Sequence, residues 1–168
     1  SNPTGGVVEE TELDKLAEGL KAHPHVAVLS DEIYSHMVYG EHTHKSLLSY
    51  PELRSRVIML DGWSKTFAMT GWRIGYAVWP ESMVDFVTRL CVNYHSCVNA
   101  SAQFAALAAL KGSMDEVLQM IHAFDRRRKV IVDALNTLPN VHCADAAGAF
   151  FAFPNITQTG LSAKEAQD

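Results

Sequence analysis

Short apolar runs alternate along the chain with stretches in which apolar residues recur every three or four positions, a pattern typical of an α/β protein. The apolar runs at residues 26–29 and 57–60 lead into acidic residues and predict two buried, parallel strands. Residues 73–79 predict a third strand. Because the interval from Lys65 to this strand is too short for a helical crossover, we expect it to run antiparallel.

Helical spacing predicts four helices. One follows the opening loop, one covers residues 81–94, and an alanine-rich one covers residues 101–111. An S-x-x-E capping box at Ser113 and Glu116 starts a long helix that should end near Pro139. The apolar faces expected to be buried comprise Leu13, Leu16, Ala17 and Leu20 in the first helix, Met83, Phe86, Val87 and Leu90 in the second, and Val117, Ile121, Phe124, Ile131, Leu135 and Leu138 in the long one.

The pattern changes after the long helix. An apolar stretch at residues 149–153 follows Gly148 and predicts a further strand. We therefore expect two domains. The first covers residues 1–138 and includes the long helix as a linking element, and residues 139–168 begin a small second domain.

Composition excludes several classes of function. With 48% hydrophobic and 20% charged residues, the 168-residue chain can form an ordinary globular core. A net charge of −5 provides no broad basic field, so neither nucleic acid nor a membrane is an expected partner. Cys91, Cys97 and Cys143 lack the spacing of a zinc or redox site, which favours reduced, buried thiols and a cytoplasmic location.

Two polar clusters are expected to be solvated rather than functional. His42 and His44 lie in a polar loop with no cysteine or carboxylate at convincing metal-binding spacing, so no metal site is predicted. The basic run at residues 126–129 lies on the long helix and is expected to face solvent.

Lys65 is the strongest candidate for chemistry. It follows an apolar strand, where lysine is rare unless it is paired or chemically used. Trp63 and Phe67 could desolvate its side chain, which would favour the neutral amine that a Schiff base requires. A loop lysine whose ammonium group reaches solvent explains the same position.

Asp31 follows the first predicted strand, so parallel pairing would place it at the same carboxyl edge as Lys65. A carboxylate there could keep a pyridine nitrogen protonated, or it could cap a turn. Tyr34 lies three residues later, where its hydroxyl could donate to a phenolate oxygen or be an ordinary half-buried hydroxyl. Asn2 could donate to the same oxygen, or serve only as a turn residue.

Arg73 and Ser64 are candidates for binding a phosphate. The guanidinium group of Arg73 is a rigid, permanently charged fork, and Ser64 offers a hydroxyl beside Lys65. A surface ion pair for Arg73 and a loop hydroxyl for Ser64 are the alternatives.

The motifs NPTGG, SDEIY, GWSK and TGWRIGY occur in the order and approximate spacing of the fold type I aminotransferases, and the chain resembles the aspartate aminotransferase superfamily. The later GAFFAFPN segment is similar to the first strand of that family's small domain, so the resemblance covers nearly the whole chain. It implies an α/β fold. The chain would be part of the mixed, mostly parallel sheet of the large domain, with a long linking helix and the start of a small α+β domain.

The resemblance also implies pyridoxal 5'-phosphate as cofactor and a cis bond between Asn2 and Pro3. Lys65 would form the Schiff base and act as the catalytic proton shuttle. The cofactor-binding residues that it implies are Lys65 itself, Asp31 at the pyridine nitrogen, Tyr34 and Asn2 at the ring oxygen, and Ser64 and Arg73 at the phosphate.

The implied activity is transfer of an amino group between an amino acid and a 2-oxo acid, by a homodimer when full length. A related lyase or synthase, and the cofactor-sensing domain of a transcription regulator, remain alternatives. The family's phosphate-binding turn, ring-stacking aromatic residue and substrate-binding arginine are not among these motifs. We therefore expect the chain to be a fragment that is inactive alone, and its residues do not specify which substrates are used.

Overall fold

The computed structural model describes residues 1–167 and contains two compact units. The sheet unit comprises Val8–His36 and His44–Met114. The helical unit comprises Ser1–Val7, Met37–Thr43 and Asp115–Asp168. The domain boundary expected after residue 138 stays a prediction, and Asp168, the last residue of the expected second domain, lies outside the described residues.

The sheet unit is built on a three-stranded mixed sheet. Strand β1 (Val28–Asp31) pairs in parallel with β2 (Val57–Gly62). Strand β2 pairs on its other side with β3 (Gly75–Val78), which is antiparallel to it. The predicted directions of all three strands are therefore confirmed.

Strand β1 begins two residues later than predicted because an arginine side chain holds the preceding backbone. Arg56 donates from Nη1 to the carbonyl oxygens of His23 at 2.6 Å and Val26 at 3.2 Å, so these carbonyls belong to a turn. The ladder starts where the Val28 N–H donates to the Arg56 carbonyl at 2.9 Å. Leu29 is 63% exposed, so the expectation of a strand buried on both faces is wrong for β1.

Helix α1 (Glu10–Lys21) covers the main core of the sheet unit. Leu16 lies at the margin of the helix face that was predicted to be buried, and it is 46% exposed. The buried residues of this core are Leu13, Ala17 and Leu20 from α1, together with Leu47, Leu53 and Val57.

Three further helices complete the sheet unit: α2 (Trp63–Thr66), α3 (Val84–Tyr94) and α4 (Ala100–Lys111). The side chain of Asn99 starts α4 by accepting a hydrogen bond from the Ala102 N–H at 3.1 Å. Within the described residues, Phe86 and Leu90 of α3 are 69% and 65% exposed, so the expected burial of that helix face is wrong.

The helical unit consists of α5 (Asp115–Asn136) and a two-stranded antiparallel ribbon of β4 (His142–Cys143) and β5 (Pro154–Asn155). The Asn136 side chain bonds both backbone groups of Cys143, accepting at 2.9 Å and donating at 3.0 Å. These paired hydrogen bonds fix β4 to the end of α5.

Residues 149–153 do not form the predicted strand. Ala149 has a left-handed φ of 58°, which interrupts an extended backbone. Its N–H donates to the Met37 carbonyl at 2.8 Å, and its carbonyl accepts a hydrogen bond from the Tyr39 hydroxyl. The backbone here is therefore held in a turn.

Several expectations about surface and burial are also wrong. Arg128, in the basic run expected to face solvent, is 12% exposed and pairs with Asp125 and Asp145. Cys91 and Cys97 are exposed, and only Cys143 is buried. No helix among residues 1–167 has the length and apolar character needed to cross a bilayer.

The core of the sheet unit yields a test of the fold. Leu53 has no exposed surface, so Leu53→Ala should lower the free energy of unfolding by about 2–5 kcal/mol, through lost burial and the cavity left behind. Leu16→Ala, on the accessible margin of α1, is the matched control and should cost less than about 1 kcal/mol. Urea denaturation measures both. Equal losses of stability in the two variants would contradict the burial of Leu53 in this core.

Candidate active site at the carboxyl edge of the sheet

The register of the three strands brings the predicted chemical residues to one edge of the sheet. Parallel pairing sets Asp31 opposite Leu60, so β1 and β2 end at the same edge. Lys65 lies in α2, directly after β2. Gly62 pairs with Gly75 in antiparallel β3, which places Arg73, just before β3, at that edge too. The carboxyl edge of such a sheet is where α/β proteins bind ligands.

The turn after β1 holds Asp31 and Tyr34 close to one another. The Asp31 carboxylate accepts a hydrogen bond from the Ile33 N–H at 3.2 Å, and the Glu32 carbonyl accepts one from the Ser35 N–H at 2.8 Å. Burial raises the pKa of the Tyr34 hydroxyl, and the negative charge of Asp31 raises it further. Tyr34 is therefore a neutral donor within range of the Asp31 charge.

Helix α2 presents Ser64 and Lys65 between two buried neighbours. Trp63 donates from its indole nitrogen to the Ala106 carbonyl at 3.1 Å, and Thr66 is only 2% exposed. Ser64 and Lys65 themselves are half-buried. The expected desolvation of Lys65 by Trp63 and Phe67 stays a prediction, since both rings belong to the cluster around Ala106.

Arg73 lies at the edge with an unusual backbone. Its φ of 52° is left-handed, a conformation that residues with a Cβ seldom adopt. The Nη1 atom donates to the Thr70 carbonyl at 2.9 Å, and the residue is exposed. This φ ends the extended backbone, which is why β3 starts at Gly75 instead of at residue 73 as predicted.

Two glycines allow β2 and β3 to approach closely beside Lys65. A Cβ added to Gly62 would lie 2.9 Å from the Gly75 Cα and 3.1 Å from the Ile74 carbonyl. Both contacts are with backbone, which cannot move aside as a flexible side chain can. The strand ends that carry Lys65 and Arg73 therefore depend on glycine at this crossing.

Asp61 was not predicted as a site residue, yet it lies at this same edge. Its carboxylate accepts hydrogen bonds from the Gly62 N–H at 2.6 Å and from the Tyr76 hydroxyl at 3.4 Å. Burial raises its pKa despite these donors. It lines a cavity of about 180 Å³ together with Thr66, whose buried hydroxyl has no partner among the described residues.

Glu32 is the second residue that sequence reasoning missed. It is 7% exposed, and its carboxylate accepts hydrogen bonds from the Ser30 hydroxyl at 2.9 Å, the Ser46 hydroxyl at 3.0 Å and the Leu47 N–H at 3.2 Å. His44 bonds its other oxygen at 2.9 Å. His44 is exposed, as expected of a solvated loop residue, but it also bonds this buried carboxylate. The one available signal was an acidic residue directly after Asp31, which a strand end also explains.

Asn2 belongs to the helical unit, so its contribution to the site stays a prediction. The Asn2–Pro3 bond is cis, as the resemblance implies. No group of three or more histidine, cysteine or carboxylate side chains that could hold a metal ion occurs among residues 1–167.

Comparison with known proteins agrees with this architecture. The family model "Aminotransferase class I and II" matches residues 1–168. A putative aminotransferase of Bacillus subtilis is 41% identical over 98% of this chain, and an aspartate aminotransferase of Geobacillus stearothermophilus is 40% identical over 97%. The aromatic aminotransferase structure from Pyrococcus horikoshii superposes on 98% of the chain and 44% of its own length, with 35% identity and a TM-score of 0.93.

The chain belongs to the class I and II aminotransferase family. The predicted fold class, part of a fold type I aminotransferase, is confirmed by the match to this solved structure. The chain spans 42% of the length of each of the two curated relatives.

The glycine crossing gives a test of the edge geometry. Gly62→Ala should lower the free energy of unfolding by about 1–3 kcal/mol, because the new Cβ forces β2 and β3 apart. Gly71→Ala is the matched control, since a Cβ there meets nothing within 4 Å and should change stability by less than about 0.5 kcal/mol. Thermal or urea denaturation compares the two. A Gly62→Ala variant as stable as the Gly71→Ala variant would contradict the close crossing.

The buried carboxylate of Glu32 predicts a pH dependence of stability. Burial alone would raise its pKa, but the hydrogen bonds from His44, Ser46, Ser30 and Leu47 outweigh it and lower the pKa below the usual 4.5. The unfolded chain then takes up this proton more readily than the folded one. The stabilisation is present above pH 4.5 and is lost as the pH falls through the folded-state pKa.

We therefore expect the free energy of unfolding to fall less steeply with acidification in Glu32→Gln than in the parent protein. Urea denaturation at a series of pH values between about 3 and 6 measures both slopes. Glu12→Gln, which removes an exposed carboxylate, should keep the parent slope. If the free energy of unfolding depended on pH equally in Glu32→Gln and the parent protein, the lowered pKa of Glu32 would be refuted.

Proposed function

We propose that the protein is a pyridoxal-phosphate-dependent aminotransferase that moves an amino group between an amino acid and a 2-oxo acid. The observation that carries this proposal is the meeting of Asp31, Lys65 and Arg73 at one edge of the mixed sheet, as the strand register requires. Membership of the class I and II aminotransferase family supports the same chemistry.

The side chains at this edge fit the cofactor by charge and hydrogen-bonding type. A carboxylate with a phenol beside it suits a pyridinium ring bearing an oxygen, and a guanidinium group with a nearby hydroxyl suits a phosphate. A half-buried amine lies on the adjacent strand end. When bound, pyridoxal phosphate supplies an aldehyde that condenses with amines and a protonated ring that withdraws electrons from the substrate.

Each residue then has a defined task. The Asp31 carboxylate would keep the pyridine nitrogen protonated, and the Tyr34 hydroxyl would donate to the ring oxygen. Because Tyr34 has a raised pKa, it remains protonated and able to donate at neutral pH. Lys65 would hold the cofactor through its Nζ, and as a free amine it would be the group that carries a proton to and from the substrate α-carbon.

Ser64 and Arg73 would bind the phosphate from the neighbouring ends of β2 and β3 at this edge. Ser64 is adjacent to Lys65 on α2, and Arg73 precedes β3. Anchoring the phosphate on one side and the pyridine nitrogen on the other fixes the ring relative to Lys65, which is the positioning that such catalysis needs. Asn2 would add a second donor to the ring oxygen.

The wider assignments are part of the same proposal. We propose a homodimer in the cytoplasm that acts on an amino acid and a 2-oxo acid. The relatives bear names that refer to different amino acids, aspartate for one and aromatic residues for another, so the substrate side chain stays open. Elimination by a related lyase or synthase remains a distinct outcome of product analysis.

Trapping the cofactor tests the proposal directly. Borohydride reduction of the protein made from its complete reading frame, saturated with pyridoxal phosphate, should leave a phosphopyridoxyl group on Lys65, located by peptide mass spectrometry. Lys65→Ala should lose this adduct. It should also lower kcat by about 10²–10⁴-fold, since the amine that bonds the cofactor is also the group that carries the proton. Lys15→Ala, an exposed ion-paired lysine on α1, should retain both. An unmodified Lys65 in the saturated protein would refute the proposal.

A further inference from the structure

A buried acid lies directly between the two residues assigned to the cofactor ring. Glu32 directly follows Asp31 and lies two residues before Tyr34. Its side chain is only 7% exposed, whereas Asp31 is exposed. We propose that Glu32 is a positioning residue that aims Asp31 and Tyr34 at the cofactor, an inference that rests on the function proposed above. Glu32 itself would not touch the cofactor.

Four donors surround the Glu32 carboxylate from two directions. Oε1 accepts from Ser30 on β1 and from Ser46 and Leu47 of the following loop, at distances of 2.9–3.2 Å. Oε2 bonds His44 of the same loop at 2.9 Å. A buried carboxylate with this many donors is held in a single orientation, because leaving any of them unpaired in the interior is costly.

Fixing the side chain of Glu32 also fixes the direction of the Asp31 side chain, because the two are adjacent in a pleated strand. Successive side chains of a strand point to opposite faces, and the bond between Ser30 and Glu32 puts those two on one face. Asp31 must then point to the other face. The Glu32 N–H also donates to the Leu60 carbonyl at 2.8 Å, which extends the pairing with β2 beyond Asp31. The backbone on both sides of Asp31 is thus fixed.

The same residue governs the turn that carries Tyr34. The Glu32 carbonyl accepts the Ser35 N–H at 2.8 Å, and this bond closes the turn around Tyr34. The carboxylate, the N–H and the carbonyl of Glu32 are therefore all hydrogen-bonded. A movement of Glu32 would shift Asp31 and Tyr34 together.

The loop that supplies the donors is itself anchored at a second point. Lys45 pairs with Glu10 at 2.7 Å and with Asp14 at 3.3 Å, both on α1. This anchor involves neither Glu32 nor the strand end. Lys45 therefore provides a matched control. Removing its charge loosens the same loop but leaves every hydrogen-bond donor to the Glu32 carboxylate in place.

A double-mutant cycle with Asp31 distinguishes positioning from simple stabilisation of the fold. The protein from the complete reading frame is freed of cofactor and titrated with pyridoxal phosphate, and the Kd is read from tryptophan fluorescence. Glu32→Leu should raise the Kd about tenfold and lower kcat while changing the substrate KM little. Glu32→Gln, which keeps Oε1 and its three donors, should restore the Kd to within about threefold of the parent.

In the Asp31→Asn background, Glu32→Leu should raise the Kd about threefold instead of tenfold, because the Asp31 charge is already absent and only the position of Tyr34 remains to be lost. Lys45→Met should leave the Kd unchanged in either background. Independent, additive effects of Glu32→Leu and Asp31→Asn would overturn the positioning role while leaving the proposed function intact. A parent protein that neither binds pyridoxal phosphate nor forms a Lys65 adduct would overturn both.

Glu32→Leu also removes the partner of several buried donors, so it could fail to fold. In that case Ser46→Ala replaces it, because this change deletes one donor and keeps the carboxylate in place. A Kd raised about threefold in the parent background, and raised by less than that in the Asp31→Asn background, supports the proposal. An unchanged Kd, or one raised equally in both backgrounds, overturns it.

Discussion

The parallel pairing of β1 with β2 is the constraint on which the rest of the candidate site depends. It sets Asp31 opposite Leu60, so that the acidic end of one strand and the lysine-bearing end of the next lie at a single edge. The antiparallel pairing of Gly62 with Gly75 then brings the start of β3 to the same place. A slip of one residue would turn every side chain of a strand to the opposite face, and Asp31 would leave the face that it now occupies. The chemistry is thus specified by register before any side-chain contact is considered.

Strand direction could be predicted from the sequence, but strand limits could not. Short intervals between apolar runs restrict how strands can be joined, which is enough to establish that β3 runs antiparallel. The limits depend on contacts distant in sequence, such as the Arg56 side chain that takes the Val26 carbonyl out of the ladder. The predicted strand at residues 149–153 failed for the same reason, because Met37 and Tyr39 hold Ala149 in a turn. Periodicity carries no information about such partners.

The residues of the candidate site divide in the same way: some could be identified from the sequence, and others only from their packing in the structure. Lys65 could be found because a lysine directly after an apolar strand is unexpected. Asp31 was singled out because its predicted strand ends at the same edge, and Arg73 because a guanidinium group suits a phosphate. Glu32 and Asp61 escaped notice because an acidic residue at a strand end is ordinary. Their importance comes from burial and from donors such as Ser46 and Tyr76, which no local pattern connects to them. The backbone of Arg73 is likewise invisible in the sequence, since nothing there marks a left-handed arginine.

Asp31 and Glu32 show how one strand end can serve the fold and the chemistry at once. They are adjacent and carry the same charge, yet the alternation of the pleat sends them to opposite faces. On one face Glu32 is enclosed by Ser30, His44, Ser46 and Leu47, whose donors stabilise its charge inside the protein. On the other face Asp31 stays exposed and accepts a hydrogen bond from the Ile33 N–H. A fully satisfied acid resists movement, and an exposed one remains able to bind a cation. In the function proposed above, pairing the two would give the site a ligand group whose direction is fixed by a neighbour that takes no part in binding.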